Sequence, residues 1–184
     1  MVTLSSKIVR NFAPQGVRPL PFKRPEGSPV RIFLFSHETA KWESLDTSSI
    51  DGGLDRATGS QLAVSEAPVK IRIEVTSCAA VTLYDRERKV GAAMHFHNWD
   101  KRIYEGYISL ALYKMGALNR PTEVEGGILG VQFCGRYRAS QIDWVSRIRA
   151  FLRDCEIKVL PDNIGRGMEV NFDLSDGSVI ARAL

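Results

Sequence analysis

An α+β sandwich, with a mixed sheet and at least two packed helices, is the fold class the sequence predicts. Three observations lead there. Short runs of strand character recur along the chain, Val30-Arg31-Ile32-Phe33-Leu34-Phe35 and Lys70-Ile71-Arg72-Ile73-Glu74-Val75 among them. Two stretches, 100–115 and 140–155, carry apolar residues at helical spacing. The two kinds of element alternate irregularly, which fits a mixed sheet better than a doubly wound one.

Residues 1–29 mix Pro14, Pro19, Pro21, Pro25 and Pro29 with Lys7, Arg10, Arg18, Lys23 and Arg24. Such a segment is expected to run extended over the surface, because proline cannot donate to a central strand. Val30 to Phe35 reads as a strand. Residues 37–67 are polar and punctuated by Asp51-Gly52-Gly53 and Thr58-Gly59-Ser60, the composition of turns. Residues 1–65 are therefore read as an N-terminal extension, packed on or leading into a domain at 66–184.

Within that domain Ile71, Ile73 and Val75 alternate with Lys70, Arg72 and Glu74, the period of a half-exposed strand. Val81–Asp85 and Val90–His95 flank the charged turn Arg86-Glu87-Arg88-Lys89 and form a predicted hairpin. Asp100 can cap a helix running to Met115, with Tyr104, Tyr107, Ile108, Ala111, Leu112 and Met115 on one face and Gly116 ending it. Glu123 to Phe133 is largely apolar with Gly126, Gly127 and Gly130, a strand or strand–turn where backbones approach closely. Ser140 with Asp143 has the pattern of a capping box for a second helix, whose inner face is Val145, Ile148, Leu152 and Cys155. Three strands close the chain, at 157–160, 168–172 and 178–181, the last two joined through the turn dipeptide Asp176-Gly177.

Composition narrows the function classes. The chain has 184 residues, 44% of them hydrophobic and 25% charged, enough for one substantial core. Its net charge of +4 is spread among acids without a basic arm, so nucleic-acid binding is not expected. No apolar run reaches membrane-spanning length, and the first residues lack the apolar core of a signal peptide. The expected location is the cytoplasm, with export as an effector left open. Three cysteines without CxxC spacing argue against a disulfide framework.

The predicted hairpin places chemistry. Cys78 precedes its first strand and His95 closes its second, so folding brings thiol and imidazole together as a nucleophile and base. Backbone N–H groups around Ser77 and Cys78 are candidates for an oxyanion hole. A competing reading takes His95 and His97, two apart on one strand face, with Cys78 and Asp100, as metal ligands. The set lacks a further His or Cys cluster, and neither metal nor cofactor is expected. Cys134 and Cys155 lie on apolar segments and read as core. His37 reads as a loop residue, and Trp99 as either a pocket wall or a core cover.

The stretch Thr76-Ser77-Cys78-Ala79-Ala80-Val81-Thr82-Leu83-Tyr84-Asp85, followed by Gly91-Ala92-Ala93-Met94-His95, resembles the CheD family of chemoreceptor glutamine deamidases. Gly126-Gly127, the helix–strand unit Phe151 to Leu160 and the terminal Gly165 to Leu184 are similar to later parts of that family. The resemblance implies a CheD-like domain, with Cys78 and His95 catalytic and Arg72, Thr76 and Ser77 in supporting positions. Thr76 stands where the family has glycine and Arg72 where it has threonine. At Arg72 the backbone carbonyl is thus the better candidate to orient His95. The implied activity is hydrolysis of a protein glutamine to glutamate through a thioester, in a chemoreceptor or another protein. The alternative is a weak or inactive binding module that works through a partner such as a CheC-type phosphatase.

Overall fold

A computed structural model describes residues 30–36, 41–45, 53–54, 61–66, 70–96 and 101–184. Its strands are β1 (Val30–Ser36), β2 (Lys41–Leu45), β3 (Gly53–Leu54), β4 (Gln61–Glu66), β5 (Lys70–Val75), β6 (Ala79–Asp85), β7 (Val90–Phe96), β8 (Val124–Gln132), β9 (Lys158–Val159), β10 (Asn163–Gly165), β11 (Met168–Asp173) and β12 (Ser178–Ala183). The helices among the described residues are α1 (Lys101–Lys114) and α2 (Arg138–Asp154). None is long and apolar enough to cross a membrane.

The charged run Arg86 to Lys89 turns the chain, and β6 and β7 pair antiparallel on either side of it, Ala80 opposite His95 and Asp85 opposite Val90. Both strands are buried at every position, because each face of their sheet is covered. The large sheet runs β10-β8-β6-β7-β4-β1-β2, with β9 also on β8; the small sheet runs β12-β11-β5-β3. Most pairs are antiparallel, while β8–β9, β8–β10 and β3–β5 are parallel. The fold is α+β with mixed sheets and two helices.

Three layers result. One face of the large sheet presents Val81, Leu83, Ala92, Met94, Phe96 and Ile128 to the helices. The α1 face read from spacing is buried throughout, as are Val145, Ile148, Leu152 and Cys155 of the second helical stretch. The opposite face presents Cys78, Ala80, Ala93 and Leu129 to Ile71, Ile73, Val75, Met168, Val170 and Phe172 of the small sheet. Each fully buried aliphatic or aromatic side chain stabilises the fold by about 1.5–3 kcal/mol relative to exposure.

Helix ends follow backbone chemistry. Beyond α1, Ala117 N–H donates to Leu112 O and Gly116 N–H to Tyr113 O, with Gly116 at φ +68°. This paired closure satisfies carbonyls the helix leaves open. The capping box read at Ser140 and Asp143 is not formed. The helix already begins at Arg138, its N-cap is Tyr137 without a side-chain bond, and Asp143 pairs with Arg147 one turn on. A three-residue 3-10 turn at Gly135–Tyr137 carries the chain into α2 and moves its start upstream. The Asp100 cap lies outside the described residues. Two further differences concern strands: β2, β3 and β4 occur in the segment read as turn-rich, and β10 was not foreseen. Each is short or polar and depends on a neighbour's ladder, which local composition does not reveal.

Candidate functional site at the end of the sandwich

The Thr76–Cys78 bend is where the chain leaves β5 in the small sheet and enters β6 in the large one. Cys78 thus sits at one end of the sandwich, between the layers. Its thiol belongs to the inner apolar cluster with Val75, Ala80, Ala93, Leu129 and Met168. His95 is opposite Ala80, so by strand alternation its ring shares the face of Ala80 and Ala93 and points toward the same interlayer space. Two residues along from Ala80, Cys78 stands diagonally to His95, a relation of roughly 7–8 Å between backbones that long side chains bridge. Cys78 is 7% and His95 6% exposed.

The bend is fastened to β8. Val131 N–H donates to Cys78 O and Gln132 N–H to Thr76 O, each at 2.8 Å. Those bonds come from an unusual backbone: Gly130 has φ +87° and Val131 has φ +58°. A left-handed conformation at a β-branched residue is strained, and such strain persists only where surrounding contacts overdetermine it. Here it turns two consecutive N–H groups toward the cysteine bend.

Burial pushes the Cys78 thiol above its ordinary pKa, and a hydrogen bond with the Ser77 side chain pulls it partly back. The resting cysteine is therefore a protonated thiol at neutral pH rather than a standing thiolate. Thr76 and Ser77 are exposed on the bend beside it. The Arg72 side chain is not brought to the site. It leaves the outer face of the small sheet, 60% exposed, and pairs with Glu169. Alternation along β5 requires this, since Ile71, Ile73 and Val75 take the inner face.

Among the described residues no group of three or more His, Cys, Asp or Glu is placed to hold a metal ion. His97, Asp100, Trp99 and His37 lie outside the described residues. Cys155 is buried, with its thiol pushed up to about 12 by desolvation first and by Asp154 and Glu105 after it. Cys134, read as core, is exposed instead. The apolar run ends with β8 at Gln132, so Cys134 falls in the loop beyond the sheet.

Sequence reasoning missed Gln141. It is fully buried, accepts a bond from Cys134 N–H at 2.8 Å and donates to Gln132 O at 3.1 Å. It fixes the segment leaving β8. The signal was present: Gln141 lies one turn before Val145 on the apolar stripe of α2, where a polar residue needs partners.

No family model and no curated protein matches this chain. Among solved structures, a Neisseria meningitidis protein, NMB0706 of family-model DUF152, aligns with a TM-score of 0.39 and 14% identity over 56% of this chain and 52% of that one. A hypothetical protein YfiH of Bacillus licheniformis aligns at 0.37 and 12% identity over 59% of each chain. The chain thus spans between half and three fifths of the length of these two structures.

These matches are DUF152 proteins and not CheD proteins, which corrects the CheD resemblance and with it glutamine deamidation and a role in chemotaxis. The physical reason is in the motif itself. A cysteine before one strand and a histidine at the end of its hairpin partner meet in any antiparallel pair of that length, so the spacing marks a geometry rather than a family. Arg72, facing outward, also cannot stand in for the threonine of that family.

Proposed function

We propose that this protein is a cysteine-dependent acyl hydrolase acting on an ester or thioester carbonyl, with Cys78 as nucleophile and His95 as base. The observation that carries this reading is the shared inner surface of the two residues beside the strained turn at Gly130 and Val131. A thiol whose pKa is raised must surrender its proton during attack, which suits activated carbonyls with good leaving groups. As Cys78 Sγ bonds to the acyl carbon, its proton passes to the His95 imidazole and the carbonyl electrons move to oxygen. The oxyanion is received by N–H groups of the Ser77–Cys78 bend. Collapse expels the alcohol or thiol, which takes the proton from His95. Water, deprotonated by His95, then attacks the thioester, and the acid and free thiol are released.

The test uses 4-nitrophenyl acetate with a Cys134→Ser background to silence the exposed thiol. A burst of one equivalent, an acetylated Cys78 peptide by mass spectrometry and slow turnover are expected. Cys78→Ala should abolish the burst, and His95→Ala should slow acylation by about 10²–10⁴-fold. Acylation confined to Cys134 in the unsubstituted protein, without turnover, would sink the reading.

A further inference from the structure

Two loops converge on the cysteine bend. The first runs from β8 into the first residue of α2 as Phe133-Cys134-Gly135-Arg136-Tyr137-Arg138, and the second joins β10 to β11 as Gly165-Arg166-Gly167. A methyl added at Gly165 would lie 3.6 Å from the Phe133 ring; one at Gly167 would lie 3.5 Å from Gln132 Oε1 and 3.6 Å from Thr76 Cα. The loops therefore touch each other and the residue two before Cys78. Buried Gln141 holds the first loop at Gln132 and Cys134.

These loops carry Arg136, Arg138 and Arg166, all exposed. Five other arginines are matched with acids: Arg72 with Glu169, Arg86 with Glu125, Arg120 with Glu87 and Glu123, Arg147 with Asp143, and Arg149 with Asp162. Neither loop contains a carboxylate, and the acids nearest in sequence, Asp143, Asp162 and Glu169, are already engaged. Aromatic rings orient two of the three. The Arg136 guanidinium lies 4.7 Å from the Tyr137 ring centroid and that of Arg138 lies 5.9 Å from the Phe133 ring. Stacked guanidinium groups keep their edges free for bidentate bonds to carboxylate or phosphate oxygens.

We propose that Arg136, Arg138 and Arg166 form an anion-recognition rim that binds a carboxylate or phosphate group on the substrate of Cys78. The inference rests on the acyl-hydrolase reading only for what the bound molecule undergoes; the binding itself is independent of it. Charge complementarity selects the ligand, and the bond from Gln132 N–H to Thr76 O ties the strand end that leads into the first loop to the bend carrying Cys78.

The binding experiment titrates isotope-labelled Cys78→Ala protein with succinate and, separately, inorganic phosphate, following arginine Nε–Hε resonances at low salt. Shifts at the three rim arginines are expected for one anion, and the anion that gives them identifies the ligand class. Each Arg→Ala change should weaken binding roughly tenfold, and salt should weaken it further. The kinetic experiment compares the 4-nitrophenyl monoester of succinate with 4-nitrophenyl butyrate. The triple Arg→Ala variant should raise KM about tenfold or more for the anionic ester while leaving the neutral one unchanged. If neither anion moves the rim signals, or if the triple variant impairs both esters equally, the rim is refuted. Anion binding without turnover of either ester would keep the rim and refute the hydrolase.

Discussion

Replacing Gly130 by alanine tests the strained turn behind Cys78. At φ +87° an L-residue is disfavoured by about 1–2 kcal/mol. The new Cβ would also meet Val75 Cγ2 at 2.4 Å, Val75 Cβ at 3.0 Å and Cys78 O at 3.2 Å. Val75 is fully buried and β-branched, so it has no room to swing away. Overpacking of this kind costs about 1–3 kcal/mol. The sum centres on about 3.5 kcal/mol, which in a chain of this size lowers Tm by about 7–14 °C. Urea unfolding followed by circular dichroism measures it. Gly127→Ala in the same strand is the control, since its nearest neighbour would be Thr82 Oγ1 at 3.6 Å, an ordinary contact. That variant should stay within about 0.5 kcal/mol of the parent. Val75→Ala should relieve the Cγ2 contact in the Gly130→Ala background and leave the backbone part, so the pair should couple. A Gly130→Ala protein as stable as Gly127→Ala would refute both the left-handed turn and its packing against the bend.

Iodoacetamide should label exposed Cys134 first and buried Cys155 only on unfolding, as peptide mapping over time would record; labelling of Cys155 as fast as Cys134 would contradict its burial. Gln141→Leu strands the Cys134 N–H and Gln132 O and should lose about 2–4 kcal/mol in denaturant titration, while loosening hydrogen exchange at residues 132–138. Glu125 is bonded first by Lys158 and also by Arg86, which hold its carboxyl below the ordinary 4.5. The unfolded chain then binds more protons than the folded one just below that value. The stability this group contributes is complete above about pH 4.5 and is lost as pH falls through the folded pKa. Glu125→Gln should flatten that part of the acid unfolding curve.

The elements most legible in the sequence were those whose own residues decide them. The hairpin of β6 and β7 follows from two apolar runs and a charged turn, and α1 follows from its stripe and Gly116. The strands β2, β3 and β10 were not legible, because each exists through a partner distant in sequence. Cys134 was misplaced because apolar neighbours say nothing about where a sheet stops. At the candidate site, strand arithmetic gave the hairpin register that sets Cys78 and His95 on one face of the large sheet. The family was not legible, since that arithmetic is shared by unrelated hairpins. The arginines at 136, 138 and 166 did not stand out because the segments that carry them come near each other only after β10 has docked on β8.

The order of pairing in the small sheet bears on how the protein is made. Strand β5 has its antiparallel partner in β11, with Val75 opposite Met168 and Ile71 opposite Phe172. During synthesis the large sheet can gather through β8 well before β11 leaves the ribosome, because chains fold as their segments emerge. Through that interval Ile71, Ile73 and Val75 have no cover from β11, and the thiol of Cys78 faces a layer that is half built. The nascent chain is therefore most vulnerable, to aggregation and to thiol capture alike, in the stretch of translation between the first sheet and the last hairpin. Closure of the interlayer space over Cys78 then waits on β11, so a nascent chain that stops short of that strand leaves the thiol uncovered.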